Sequence, residues 1–412
     1  MTHVLMVGFG SVFLDAVEGA VADGSIVVLE EPDNIRHRGL EGEAERRACL
    51  RAVLPATYQQ GGDCVDIATE LHRSWPIEAV VPALEYAVPA AAAIAEKLGL
   101  PGATSRAAAV LRDKLLLREA TGRAGMPTPR WREIRGPEDI VAFAQAGPVV
   151  VKPADRQASV GVQLLDHCDP AEAERAWQAL LEAAEPGHAP DRPLDRRFLA
   201  EERVYGTEYS VEALVREGSV EFFNVTEKSV IGGRHPVESG HVLPAPVSAE
   251  TEQDMRTAMR RLVEATGFGS GILHAEWIMT GSELVLIECA GRCPGDRLTD
   301  LLDLAYATAI RPALIEILAG RRPRLPQRAA GAAAIRFMSA PPGEVVSVEG
   351  VAEARERPGV HSVQVTVAEG DRIRPWSSSW DRYGYALATG RNPEEANSLA
   401  VAAAASVRVR TR

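Results

Sequence analysis

The chain has 412 residues, 46% of them hydrophobic and 25% charged, with 45 Lys and Arg against 57 Asp and Glu, a formal charge of −12. That length exceeds what one hydrophobic core serves, so several domains are expected, and the composition excludes a disordered chain. The acidic balance excludes a polyanion such as DNA as principal partner, which makes any phosphate site a local feature.

Short apolar runs at 3–8, 25–29 and 77–83 alternate with helical spacing around 11–22, 43–53 and 64–74. Strands alternating with helices imply a parallel sheet covered on both faces, so the first hundred residues are expected to form a doubly wound α/β domain. The start MTHVLMVGFG lacks the layout of a signal peptide, and the Ala-rich run near 87–95 is broken by Glu96 and Lys97, so neither export nor a membrane span is expected. Gly8 and Gly10 follow the first strand, but Phe13 stands where a dinucleotide-binding turn requires a small residue, which favours an ordinary strand-to-helix turn.

A helix is expected from Ser105 to about Thr121, stopped by Gly122, Gly125 and the prolines at 127 and 129. Then come a buried strand at 148–153, a small-residue loop, a helix opened by Asp169-Pro170 and a loop at 186–196. From about 198 the apolar period becomes two, giving a hairpin, EYSVEALV then VEFFNV, and after a helix from Ser248 to Thr266 a second hairpin, ILHAEWIM then LVLIECA. Residues from 326 on, with Pro/Gly turns and a closing helix near 393–404, read as a small separate α+β domain. Five scattered cysteines, 49, 64, 168, 289 and 293, form no disulfide framework and no four-ligand zinc set, and fit a reducing, cytoplasmic setting.

Three places carry chemistry. Lys152 emerges from the apolar strand, and a buried ammonium requires a carboxylate or a cleft; Ser159 and Gly161 beside it let backbone amides approach phosphate oxygens. In the second hairpin, pairing Met279 with Val285 across a five-residue loop sets Glu276 opposite Glu288, a repulsive arrangement that a divalent cation such as Mg²⁺ relieves. A two-residue turn instead puts the two glutamates on opposite faces, and the sequence leaves both registers open. Arg292, four residues after Glu288 in CAGRCPGD, supplies a planar cation suited to a phosphate or an oxyanion.

In order and spacing, DK at 113–114, VVVKP at 149–153, ASVGV at 158–162, EERVYGTEYSVE at 201–212, HAEW at 274–277 and IECAGRCPGD at 287–296 resemble the ATP-grasp superfamily, and within it the L-amino acid ligase branch. The resemblance implies an ATP-grasp fold divided into an N-terminal domain at 1–112, two ATP-grasp subdomains at 113–198 and 199–325, and a C-terminal domain at 326–412 that closes the cavity or forms a dimer face. It also implies an ADP-forming ligase that joins a carboxylate to an amine through an acyl phosphate, with ATP and one or two Mg²⁺ ions and as a homodimer. Position by position, it places Lys114 and Lys152 on the ATP phosphates beneath a lid formed by Ser159, Val160, Gly161 and Val162. Glu201, with the backbone of Glu202 and Val204, would meet adenine, Glu208 the ribose, and Glu276 and Glu288 Mg²⁺. Arg292 would steady the transferring phosphoryl group and then the oxyanion, with His274 and Gly295 beside the substrate. The segment HPVESGHVLPAP at 235–246 looks like the ligase stretch that enters the substrate cavity. Within it Glu238, Ser239, Gly240 and His241 would bind substrate, Glu238 holding an ammonium and His241 a carboxylate or the amine's proton. Two departures stand out: Ala290, where many members have Asn, and Asp296, where related ligases often have Gly. A bicarbonate-activating carboxylase and a non-catalytic nucleotide binder are the rival readings.

Overall fold

The structure, a computed structural model, describes every residue except 1, 186 and 282. Residue 186 of the expected loop at 186–196 and residue 282 of the expected loop between Met279 and Val285 lie outside the described set.

Four parallel strands open the chain in the order Leu50–Pro55, Ile26–Glu30, Val4–Val7, Ala79–Pro82. Both faces are covered, as continuous apolar strands require. Leu5 and Val7 pack on Tyr86 and Ile94, whereas Val4 and Met6 pack on Leu314 and Ile317 of the later helix Ile310–Leu318, which docks this domain on the rest of the molecule. The helix expected over 43–53 is only Glu43–Arg46, followed by the strand Leu50–Pro55. Its apolar spacing fits either period, and pairing with Ile26–Glu30 decides for strand.

The helix expected from Ser105 is two helices, Ser105–Arg112 and Lys114–Arg123, and Thr104 rather than Ser105 caps the first. Asp113 breaks the run in extended backbone and accepts from the amides of Leu115 (2.8 Å) and Leu116 (3.3 Å). Such a cap starts a new helix at a new angle. It puts Lys114 in a first turn and aims Arg118 inward.

An antiparallel sheet follows in the order Trp131–Ile134, Phe198–Glu202, Val149–Pro153, Gln163–Leu165. The expected division at 198/199 thus falls within a strand that pairs with the segments before it. The helix Ala249–Thr266 matches expectation, capped by the Ser248 side chain and ended by Gly267 at φ 71°. Eight strands make the largest sheet, running Glu283–Ala290, Gly271–Thr280, Thr207–Arg216, Ser219–Val230, Glu238–Leu243, Ala332–Phe337, Gly384–Gly390, Val360–Val365. The C-terminal part is joined to the rest through this sheet: Ala332–Phe337 pairs directly with Glu238–Leu243 and extends it. All five cysteines are free, and among the described residues no helix is long and apolar enough to cross a membrane.

Between the two central sheets the chain turns at Gly206, where a β-carbon would stand 2.0 Å from the Met279 carbonyl oxygen. Gly206→Ala is expected to force the strands apart and destabilise the protein by about 1–3 kcal/mol, read as a lowered midpoint of thermal unfolding.

Candidate functional site

A cleft of about 930 Å³ lies between the N-terminal domain, the two sheets and the C-terminal segment. It is lined by ten Lys and Arg against seven Asp and Glu, a local excess of positive charge in a chain of net −12. Of the candidates, Lys114, Lys152, Ser159, Val160, Val162, Glu201, Glu202, Val204, Glu208, Glu238, His241, His274, Glu276, Glu288, Arg292 and Gly295 reach its wall. Gly161, Ser239 and Gly240 do not. A β-carbon on Gly161, at φ 75°, would meet Ala183 and Pro153 at 3.0 Å, and one on Gly240 would meet Arg336 of the neighbouring strand at 2.6 Å.

Ser239 is the extra residue of a bulge. Ser229 pairs with Gly240 and Val230 with Glu238, so Ser239 drops out of the ladder and its hydroxyl donates to the Ser229 carbonyl at 3.2 Å. The inserted residue brings Glu238 and His241, three apart, to the same face.

The hairpin carrying the two glutamates uses the same device. Thr280 pairs with Glu283, leaving two residues between them, and Met279 pairs with Leu284 rather than Val285. That short connection alone would put the glutamates on opposite faces. The shift after Trp277↔Leu286 leaves Ile287 over, and Glu276 meets Glu288. Leu286 consequently faces the core while Glu288 lines the cleft. Arg118 takes up the displaced Ile287 carbonyl at 2.6 Å.

Lys114, Lys152, Lys228 and Arg292 each have a partner of opposite sign. Lys228 sits 2.9 Å from Glu276 and 3.4 Å from Glu238, and Lys114 sits 2.9 Å from Glu288 while donating to the Arg156 carbonyl at 2.7 Å. Burial pushes the Glu276 carboxyl up, but Lys228 and His274 outweigh it and hold it well below the ordinary range. Burial likewise opposes the charge on Lys228, and Glu276, Glu238 and Glu208 together raise it above the usual lysine value. At Glu208 burial, helped by the neighbouring Glu276 and Glu238, outweighs Lys228 and pushes the carboxyl up. On the other side Lys152 meets Glu201 at 2.6 Å, and Arg118 meets the same carboxylate at 2.7 Å. Glu201 therefore presents its side chain to two cations rather than to a base edge, and the following Glu202–Glu208 stretch lines the cleft. Arg292 is aimed by Glu85 (2.8 Å) and Gln157 (3.3 Å).

Two opposed carboxylates suit an ion whose remaining coordination comes from phosphate oxygens and water. Ala290 adds no ligand, and among the described residues no group of three or more His, Cys, Asp or Glu forms a cage. The residues thus fit Mg²⁺ held jointly with a nucleotide.

The sequence reading missed the cations that arrange these groups, Lys228, Arg118 and Arg382, and the C-terminal wall of Phe337, Ser379, Trp380 and Tyr385. Lys228 had a signal, since in a strand of alternating period it shares a face with Thr226 and Asn224, all three buried. Ser379 closes the cleft from the C-terminal side: its hydroxyl donates to Glu238 at 3.0 Å and its amide to the Ala158 carbonyl in the small-residue loop at 3.0 Å.

Arg118→Ala would leave Glu201 with one cation and strip the bulged Ile287 carbonyl of its donor. A loss of about 3 kcal/mol is expected, together with weaker Mg-ATP binding by calorimetry. His274 lies between Glu212 (3.0 Å) and Glu276 (3.2 Å). Burial lowers its pKa, but these two carboxylates carry it from 6.5 up to about 9. A raised folded value means that its stabilising contribution is whole below about pH 6.5 and lost as pH rises through about 9. The thermal midpoint of metal-free protein should fall over that window, and His274→Gln should flatten the slope.

Comparison with known proteins agrees with this geometry. Residues 145–300 match the ATP-grasp domain, and residues 336–412 match the L-amino acid ligase C-terminal domain 2. The chain is 26% identical over 282 residues to alanine–anticapsin ligase of Bacillus subtilis, covering 64% of this chain and 59% of that protein, so it spans under two thirds of the relative's length. It is 28% identical over 303 residues to D-alanine–D-alanine ligase of Desulforudis audaxviator (strain MP104C), covering 67% of this chain and 94% of that one. The fold superimposes on the crystal structure of L-amino acid ligase from Bacillus licheniformis with a TM-score of 0.80 at 17% identity, covering 100% of this chain and 99% of the other. The chain thus carries an ATP-grasp domain over residues 145–300 and an L-amino acid ligase C-terminal domain 2 over residues 336–412.

Proposed function

We propose that the protein is an ADP-forming ligase that joins the carboxylate of an amino acid or a similar acid to an amine. One observation supports this reading: Lys114, Lys152 and Arg292 line one cleft with the Glu276–Glu288 pair, as binding of phosphates would require, and Glu238, which would accept the ammonium, stands across Lys228 from Glu276. Lys114 and Lys152 draw the triphosphate in, while Arg292 orients the γ-phosphate. The substrate carboxylate oxygen bonds to the γ-phosphorus as the bond to the ADP oxygen breaks. The amine nitrogen then bonds to the acyl carbon and inorganic phosphate leaves. Bound Mg²⁺, held by Glu276 and Glu288, would neutralise charge on the phosphate oxygens. No enzyme nucleophile is required, which accords with Cys289, buried and pushed well above the usual thiol value. Cytoplasmic location and a homodimer belong to the same reading, the latter checked by light scattering.

Purified protein should release phosphate from Mg-ATP only when a carboxylate and an amine are both supplied from amino acid pools, and Glu288→Ala should lower that rate at least about 100-fold. Release dependent on bicarbonate would favour the carboxylase. Tight ATP binding with no release in any pool would favour the non-catalytic reading.

A further inference from the structure

Two adjacent residues of the small-residue loop stand in left-handed backbone although neither is glycine, Ala158 at φ 55° and Ser159 at φ 57°. Such backbone costs energy and persists only where surrounding contacts hold it. Each of the two is tied to the segment that bears Glu238. Ser159 donates its hydroxyl directly to the Pro236 carbonyl at 3.1 Å. Ala158 is joined through an intermediary: its carbonyl accepts from the Ser379 amide at 3.0 Å, and the Ser379 hydroxyl donates to Glu238 Oε2 at 3.0 Å.

Ser379 presents these two donors from a turn whose shape is fixed locally. The Asp381 carboxylate accepts from the amides of Ser377 (2.8 Å) and Ser378 (2.9 Å) and from both their hydroxyls. Arg382 donates to the Ser379 carbonyl at 3.0 Å and to the Glu238 carbonyl at 3.3 Å, which seats the turn on the substrate strand. Glu238 is not saturated by its neighbours. Its Oε1 lies 3.4 Å from Lys228 and its Oε2 takes the hydroxyl, two of about four acceptor positions on a carboxylate, and 14% of the side chain is exposed on the cleft wall. On its other side the loop meets two of the cations placed on the phosphates: Lys114 donates to the Arg156 carbonyl at 2.7 Å and Arg292 to Gln157 at 3.3 Å.

We propose that Ser379 is a positioning residue that couples the two ends of the cleft: it ties the loop over the nucleotide phosphates to Glu238, so that a substrate ammonium on Glu238 and the closed loop stabilise each other. The ammonium part rests on the ligase reading given above. A bound ammonium immobilises the carboxylate that anchors Ser379, and the loop is then ordered at lower entropic cost. The effect is reciprocal, substrate tightening nucleotide by the factor by which nucleotide tightens substrate.

Trypsin reads the state of the loop. Arg156 is 8% exposed, with its guanidinium 5.7 Å from the Tyr86 ring centroid, so a cut after Arg156, located by mass spectrometry, requires the loop to open. With Mg-ADP bound to the full-length protein, Ser379→Ala should raise that rate about 10-fold, whereas Ser379→Thr, which keeps the hydroxyl, should stay at the parental rate. In a Glu238→Ala background Ser379→Ala should add nothing, because both changes remove the same bond. An unchanged rate in Ser379→Ala, equal opening in Ser379→Thr, or effects that multiply in the double variant overturns the proposal. By calorimetry, the Kd for Mg-ADP should fall at least about 5-fold when the acid that supports phosphate release is added, and this gain should vanish in Ser379→Ala. No gain in the parent protein, or a gain that survives in the variant, refutes the coupling. If no amino acid pool supports phosphate release, the ligase reading falls and the ammonium part with it, while proteolysis alone decides whether Ser379 ties the loop to Glu238.

Discussion

Arg118 is wholly buried and joins parts of the site that lie far apart in sequence. Its Nε holds Glu201, its Nη2 holds the Ile287 carbonyl, and Glu201 in turn holds Lys152. Removing a guanidinium from water is costly unless its partners are fixed. The requirement runs in both directions: Arg118 is tolerated because the bulge offers a free carbonyl, and the bulge is tolerated because Arg118 satisfies it. The bulge in turn decides on which side of the sheet Glu288 stands.

The same reciprocity extends across the cleft. Glu276 and Glu288 repel, and Lys228 and Lys114 answer one each. Lys228 is shared with Glu238, and Glu276 is shared with His274, so no carboxylate in this chain of contacts is balanced in isolation. A ligand that brings its own phosphates and cation would redistribute these pairs rather than meet an inert wall, and a site with a local excess of cations in an acidic protein concentrates anionic ligands there.

Much of this was legible in the sequence where local chemistry decided the outcome. Ser248 and Gly267 mark both ends of their helix, and the parallel strands at the start announce themselves by unbroken apolar runs. The facing of Glu276 and Glu288 was legible as an alternative, not as an answer, because register depends on Ile287, left out of the ladder and bonded by an arginine 169 residues away. Glu238 and His241 were recognised while the reason they share a face, the bulge at Ser239, was not. Asp113 hid a helix break because a carboxylate within a helical pattern looks like any exposed acid until its cap bonds are seen. Arg382 was invisible for a different reason: nothing near it in sequence says that its segment folds back over the turn at Asp296.

The continuity of the eight-stranded sheet bears on the order in which the molecule is assembled. Glu238–Leu243 has a finished neighbour on one side from the moment Ser219–Val230 is made, but its other edge waits for Ala332–Phe337, about ninety residues later in the chain. Until that strand arrives, the segment bearing Glu238 and His241 is an open edge able to accept a foreign strand. The sheets bearing Lys152 and Glu288 can therefore mature during synthesis before the edge beside Glu238 and His241 is covered, and a ribosome stalled in that interval would display a nascent chain unprotected against aggregation.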